Sequence, residues 1–135
     1  MWLLKTEPSV YGYDDLERDG HAVWDGVKNP MALKNLRSMS AGDLAFLYHT
    51  GDVKAVVGVA EVTRAAYPDP KAKSKDGKLV VVDLKPLRRL PKDVPLGTLK
   101  AMSLFADSPL VRQGRLSVVP LTPAQWKAIE REGGR

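Results

Sequence analysis

The run LAFLYHTGDVKAVVGVAEV, residues 44–62, constrains the fold more than any other stretch. Two apolar segments, the second rich in valine, flank a Thr-Gly-Asp turn, the pattern of paired strands joined by a hairpin. A third strand, LVVVDLKPL, follows the charged loop YPDPKAKSKDGK, and WLLKTE and RLSVVPL read as two more. Helices fall between them. YDDLERDG opens on acidic residues and closes on Gly20, which suit a helix N-terminus and a C-terminal cap. NPMALKNLRSM puts Leu33, Leu36 and Met39 on one side, PLGTLKAM reads as helical, and Thr122 with Pro123 starts a last helix whose Trp126 and Ile129 face inward. Strands outnumber helices and hairpins join them. The expected class is α+β, a strongly bent, mostly antiparallel sheet or small barrel with helices at its ends.

A chain of 135 residues with 44% hydrophobic content can bury one core, so residues 1–135 are expected to form a single domain. The chain has no cysteine, which excludes disulfides and thiolate-held metals, and its two histidines, His21 and His49, are far apart in sequence. No metal and no cofactor are expected. No apolar run approaches the roughly 20 residues that span a bilayer, and MWLLKTEPSV lacks the order of a signal peptide. A cytoplasmic monomer without a membrane partner is the expectation.

The net charge of +5 is concentrated. Between positions 71 and 92 stand Lys71, Lys73, Lys75, Lys78, Lys85, Arg88, Arg89 and Lys92 against only Asp76 and Asp83. Such clustering suits a polyanion partner, because each phosphate contact adds salt-dependent affinity. It equally suits a strand edge kept soluble by lysine.

Several side chains stand out against this frame. Alternation along the first strand gives Leu3, Lys5 and Glu7 one face, and Ser9 joins them if Pro8 keeps the backbone extended. A buried lysine and glutamate there would form either an ion pair or a pocket wall. In AVWDGVKNPMA, residues 22–32, Asn29 before Pro30 suits a helix cap, yet Trp24 before Asp25 and Gly26 is a large ring in need of a surface. It could stack on a planar ligand that Gly26 lets approach closely and Asn29 reads at the edge. Tyr48 and His49 end a strand, and Arg112 and Arg115 bracket Gly114. The tyrosine suits a core as well as a pocket, and the arginines suit surface ion pairs as well as phosphate.

Taken in order, MWLLKTEPS, VWDGVKNPMA, GDLAFLYHTG, VVGVAEV, AYPDP and GRLSVVPLTPAQW resemble the EVE domain family over nearly the whole chain. The resemblance implies a PUA-like fold, a bent, mostly antiparallel β-barrel with peripheral helices, related to the YTH domains that hold a methylated adenine in an aromatic cage. It further implies a non-catalytic reader that holds a flipped, modified base of DNA or RNA. By that resemblance Lys5, Glu7, Ser9, Tyr11, Trp24, Asn29, Tyr48, His49, Arg112 and Ser117 would line the pocket. Lys28, Lys71, Lys73, Lys75, Arg88, Arg89 and Arg115 would meet the nucleic-acid backbone.

Two other readings compete. Lys5, Thr6 and Glu7 are similar to the lysine, threonine and glutamate of small amidohydrolases in the ASCH branch of PUA-like folds. Strand alternation, however, points Thr6 away from the other two. A plain RNA-binding protein would use the 71–92 segment and leave the pocket empty, with steep salt dependence and indifference to Trp24→Ala.

Overall fold

The computed structural model describes residues 1–72 and 77–134. The elements in order are β1 (Trp2–Thr6), α1 (Pro8–Tyr11), α2 (Tyr13–Asp19), β2 (Ala22–Trp24), α3 (Pro30–Arg37), β3 (Leu44–His49) and β4 (Ala55–Pro68). There follow β5 (Val80–Pro95), α4 (Leu96–Lys100), a 3₁₀ turn (Ser103–Phe105), α5 (Pro109–Arg112), β6 (Val118–Pro120) and α6 (Pro123–Glu132).

The six strands form one sheet in the order β2-β5-β4-β3-β1-β6. Neighbours are antiparallel except β1 and β3, which run parallel with Lys5 opposite Tyr48 and Thr6 opposite His49. The hairpin expected at Thr-Gly-Asp joins β3 to β4, and Gly51 takes the positive φ, 72°, that the turn needs. β4 and β5 are long, 14 and 16 residues, and their ladder shifts register at several points between Val56 and Tyr67. Each shift bends the ribbon, so the sheet curls into a half-barrel. β5 tolerates Pro86 and Pro91 because β2 pairs with it only at Val82, Asp83 and Leu84, which leaves that side without a strand partner among the described residues beyond that point.

Helices fill and cap the curl. Trp126 of α6 stacks on Phe46 of β3, ring centroids 3.8 Å apart at 21°. Leu33 and Leu36 of α3 join the same core, and Thr122 caps α6 in a reciprocal arrangement with Gln125. Tyr13 of α2 is wholly buried and its hydroxyl donates to the Val59 carbonyl (2.7 Å).

Three local expectations change. β1 stops at Thr6, so Ser9 does not continue its face. Pro8 lacks an N–H and starts α1, while the Glu7 carboxylate caps it by accepting from the Ser9 N–H (3.3 Å). Ala22–Trp24, which carries no strand pattern of its own, is an edge strand on β5. The last strand is only Val118–Pro120, shorter than RLSVVPL.

Candidate functional site

A cleft of about 640 Å³ opens where α1, the end of α2 and β2 converge. Its walls include Tyr11, Trp24, Thr6, Val10, Asp19 and His21, with Gly26 and Lys71 towards the rim. The turn of chain begun at Pro8 makes this cleft possible. It carries Tyr11 back to face Trp24, and the two rings meet edge to face at 6.2 Å and 80°. Thr6 Oγ1 holds that turn closed by donating to the Tyr11 carbonyl (2.5 Å).

Trp24 is only 7% exposed and belongs to the core, so a small part of the indole is available to the cleft. Val10 is the opposite case, 80% exposed at the lip. The polar side is built around Tyr11. Its hydroxyl donates to Asp19 Oδ2 (2.9 Å), and burial together with that neighbour pushes the phenol up to about 12. Arg18 donates to both oxygens of Asp19, which holds the carboxyl below its ordinary range. Gly20, left-handed at φ 76° at the end of α2, turns the chain so that Asp19 and His21 reach the same cleft.

Of the ten residues that the resemblance assigned to a pocket, Tyr11 and Trp24 line this cleft. Lys5 leaves on the other face of β1. Its Nζ donates to the Gly114 carbonyl (2.9 Å), lies 5.7 Å from the centre of the Tyr48 ring, and is pushed down by burial. Tyr48 is a core side chain. Ser117 meets the same region through its backbone carbonyl, which accepts from Lys5 N–H (2.9 Å). Glu7 also accepts from the hydroxyls of Ser9 (3.1 Å) and Thr50 (3.2 Å), and the Ser9 N–H keeps its carboxyl below the usual range. His49 Nε2 accepts from the Tyr13 N–H (3.1 Å), and burial lowers its pKa. Asn29 caps α3 by accepting from the Ala32 N–H (3.0 Å). Arg112 donates to the Ala106 carbonyl (3.2 Å) and pairs with Asp107 (2.9 Å).

The basic residues divide likewise. Lys71 lines the cleft, Lys28 and Arg115 are exposed, and Lys73 and Lys75 lie outside the described residues. Arg88 pairs with Glu130, and Arg89 with Asp14 and Glu17. Lys5, Thr6 and Glu7 diverge to Gly114, Tyr11 and Ser9, so the trio does not converge on one point. Val10, Asp19 and His21 escaped sequence reasoning. The signal for the last two was Gly20 itself, since a left-handed cap returns the residues on either side of it to one place.

Among the described residues no group of three or more histidine, aspartate or glutamate side chains is placed to hold a metal ion. No helix among them is long and apolar enough to cross a membrane.

Residues 1–132 match the model of the EVE domain. Thymocyte nuclear protein 1 of Mus musculus is 32% identical over 166 residues, which covers 95% of this chain and 71% of that protein. Human THYN1, solved in complex with 5-methylcytosine containing DNA, is 26% identical with a TM-score of 0.89, covering 99% of this chain and 97% of that one. The YTH domain of Zygosaccharomyces rouxii MRB1, solved with N6-methyladenosine RNA, shares the fold alone, at 18% identity, TM-score 0.60, and coverage of 99% and 86%. These likenesses give the curled sheet its place among PUA-like folds.

Proposed function

This chain belongs to the EVE domain family, and from that membership we propose that residues 1–135 act as one non-catalytic domain that binds nucleic acid by holding a modified base. The observation that carries the reading is the cleft cornered by Trp24 and Tyr11, in a chain similar to a protein solved with methylated DNA. The base stacks against the exposed part of Trp24 with Tyr11 at its edge, an arrangement worth roughly 1–3 kcal/mol per stacked base. Its methyl group is sensed by apolar surface, to which Val10 and Val23 contribute. Lys71 at the rim meets a flanking phosphate, with Lys28 and Arg115 as further contacts. The chain works as a cytoplasmic monomer, on DNA or RNA, without metal or cofactor. Asn29, Glu7, Ser9, His49 and the Lys5 group act as the frame that holds the cleft in shape.

The test is fluorescence-monitored binding of single-stranded and duplex oligonucleotides that differ in one base: cytosine, 5-methylcytosine, adenine or N6-methyladenine. The reading requires one modified oligonucleotide to bind several-fold tighter than its unmodified twin. Equal binding of all of them, fading together with salt, would replace it by plain polyanion binding.

A further inference from the structure

An apolar corner can sense a methyl group but cannot tell 5-methylcytosine from thymine, because both carry the same methyl at C5. They differ at the neighbouring ring carbon, where cytosine has an amino donor and thymine a carbonyl acceptor. A site that reads the methylated cytosine therefore needs, beside its aromatic corner, a polar group of a single kind. An ionised carboxylate is acceptor-only.

Asp19 meets that description. It lines the cleft at the hydroxyl end of Tyr11, so one tyrosine ring separates the aromatic corner from the carboxylate. Its position is fixed from behind: Arg18 Nε donates to Oδ1 (3.0 Å), while Oδ2 takes the Tyr11 hydroxyl (2.9 Å) and a longer contact from the Arg18 guanidinium (3.4 Å). A carboxylate offers about four lone-pair positions, and these three bonds leave one, on Oδ1. The neighbouring guanidinium keeps the group ionised, hence unable to donate. The other polar side chains on the wall do not duplicate this. Thr6 Oγ1, its hydrogen given to the Tyr11 carbonyl, is left as a neutral and weaker acceptor, and Asp25, exposed as Asp19 is, has no side-chain bond among the described residues to fix its direction. Lys71 offers donors only, and the His21 imidazole can donate as well as accept, so neither is an acceptor of a single kind.

We infer that Asp19 is the specificity-determining residue of the cleft: its carboxylate accepts from the exocyclic amino group of a C5-methylated pyrimidine and turns away thymine, whose carbonyl would face it. This rests on the base-reading site proposed above. A pairing of an aspartate with the amino group of cytosine is a known mode of base readout. Here it acts on a base out of its stack, with the methyl in the corner and the amino group towards Asp19.

The experiment measures binding of single-stranded oligonucleotides carrying cytosine, 5-methylcytosine or thymine at one position to wild type, Asp19→Asn and Tyr11→Phe, with circular dichroism to verify folding. Asp19→Asn keeps size but presents an amide that both donates and accepts. Wild type should prefer 5-methylcytosine to thymine by about tenfold or more, the size of one charge-assisted hydrogen bond, and Asp19→Asn should reduce that ratio to about twofold. The preference for 5-methylcytosine over cytosine should survive in both. Tyr11→Phe, which frees one oxygen of Asp19 without removing the charge, should keep most of the amino preference. An unchanged ratio in Asp19→Asn overturns the inference and leaves the methyl-reading site intact. A wild type indifferent to both the methyl and the amino group overturns the site and the inference together.

Discussion

Tyr13 packs so tightly over Gly58 that a β-carbon at position 58 would stand 2.5 Å from Cε2 of the ring. No real side chain tolerates that approach, and Tyr13 cannot retreat, since it is wholly buried and tied to the Val59 carbonyl. Gly58→Ala should therefore destabilise the fold by about 1–3 kcal/mol, the usual cost of overpacking. Urea denaturation read by tryptophan fluorescence measures it, and an unchanged midpoint would mean that α2 is free to shift.

Asn29→Ala removes the cap of α3, whose oxygen accepts from the Ala32 N–H. The expected loss is about 1 kcal/mol of stability, with oligonucleotide affinity within twofold of wild type well below the melting temperature. A variant of normal stability and poor affinity would instead place Asn29 on the ligand.

Trp24 serves the core and the cleft at once, so truncation confounds the two. Trp24→Ala should cost about 3–5 kcal/mol of stability through the cavity it leaves. Trp24→Phe keeps an aromatic face and should stay folded while binding the modified oligonucleotide several-fold more weakly. Thermal melts run beside the titrations separate the two effects.

Burial depresses the pKa of His49 below its ordinary 6.5, so the unfolded chain takes up that proton more readily than the folded one. The contribution is complete above about pH 6.5 and is lost as pH falls through the lowered folded value. Urea midpoints at successive pH values should show wild type losing stability over this window, whereas His49→Gln loses less. Equal slopes would remove His49 from the account.

Lys71 lies on the cleft, whereas Arg88 and Arg89 are held by carboxylates of α2 and α6. Lys71→Ala should lower the slope of log affinity against log salt by about one phosphate contact. Arg88→Ala should leave it unchanged, and the reverse result would move the backbone contact to β5.

The strands from Leu44 to Val62 were legible because their pattern is local: alternation, β-branching and a turn residue fall within one short window. The cleft was not, for the same reason. β2 has three residues and α1 has four, too few to display a period, and β2 exists only through its pairing with Val82, Asp83 and Leu84 far along the chain. Pro8 carried two meanings, an extended residue before it and a helix after it, and only the first was used. Trp24 and Tyr11, which stand out in the sequence as aromatics, line the cleft, yet Asp19 reads there merely as part of an acidic helix. The quieting of Arg88 and Arg89 was equally hidden, since Glu130 lies 42 positions from the first and Asp14 lies 75 from the second.

The parallel pairing of β1 with β3 has a consequence for how such a protein can change. Two parallel neighbours cannot be joined by a tight turn, so the chain must leave the sheet after Thr6 and return at Leu44. On that excursion it touches the far edge at β5, and it carries every wall of the cleft except Thr6 and Lys71. Most of the cleft's lining is thus carried by one uninterrupted stretch of sequence, while five of the six strands lie outside it. Exchanging residues 7–43 between relatives should transplant the preference for one base over another, and descendants of this fold can acquire new ligands by rewriting a single paragraph of the gene.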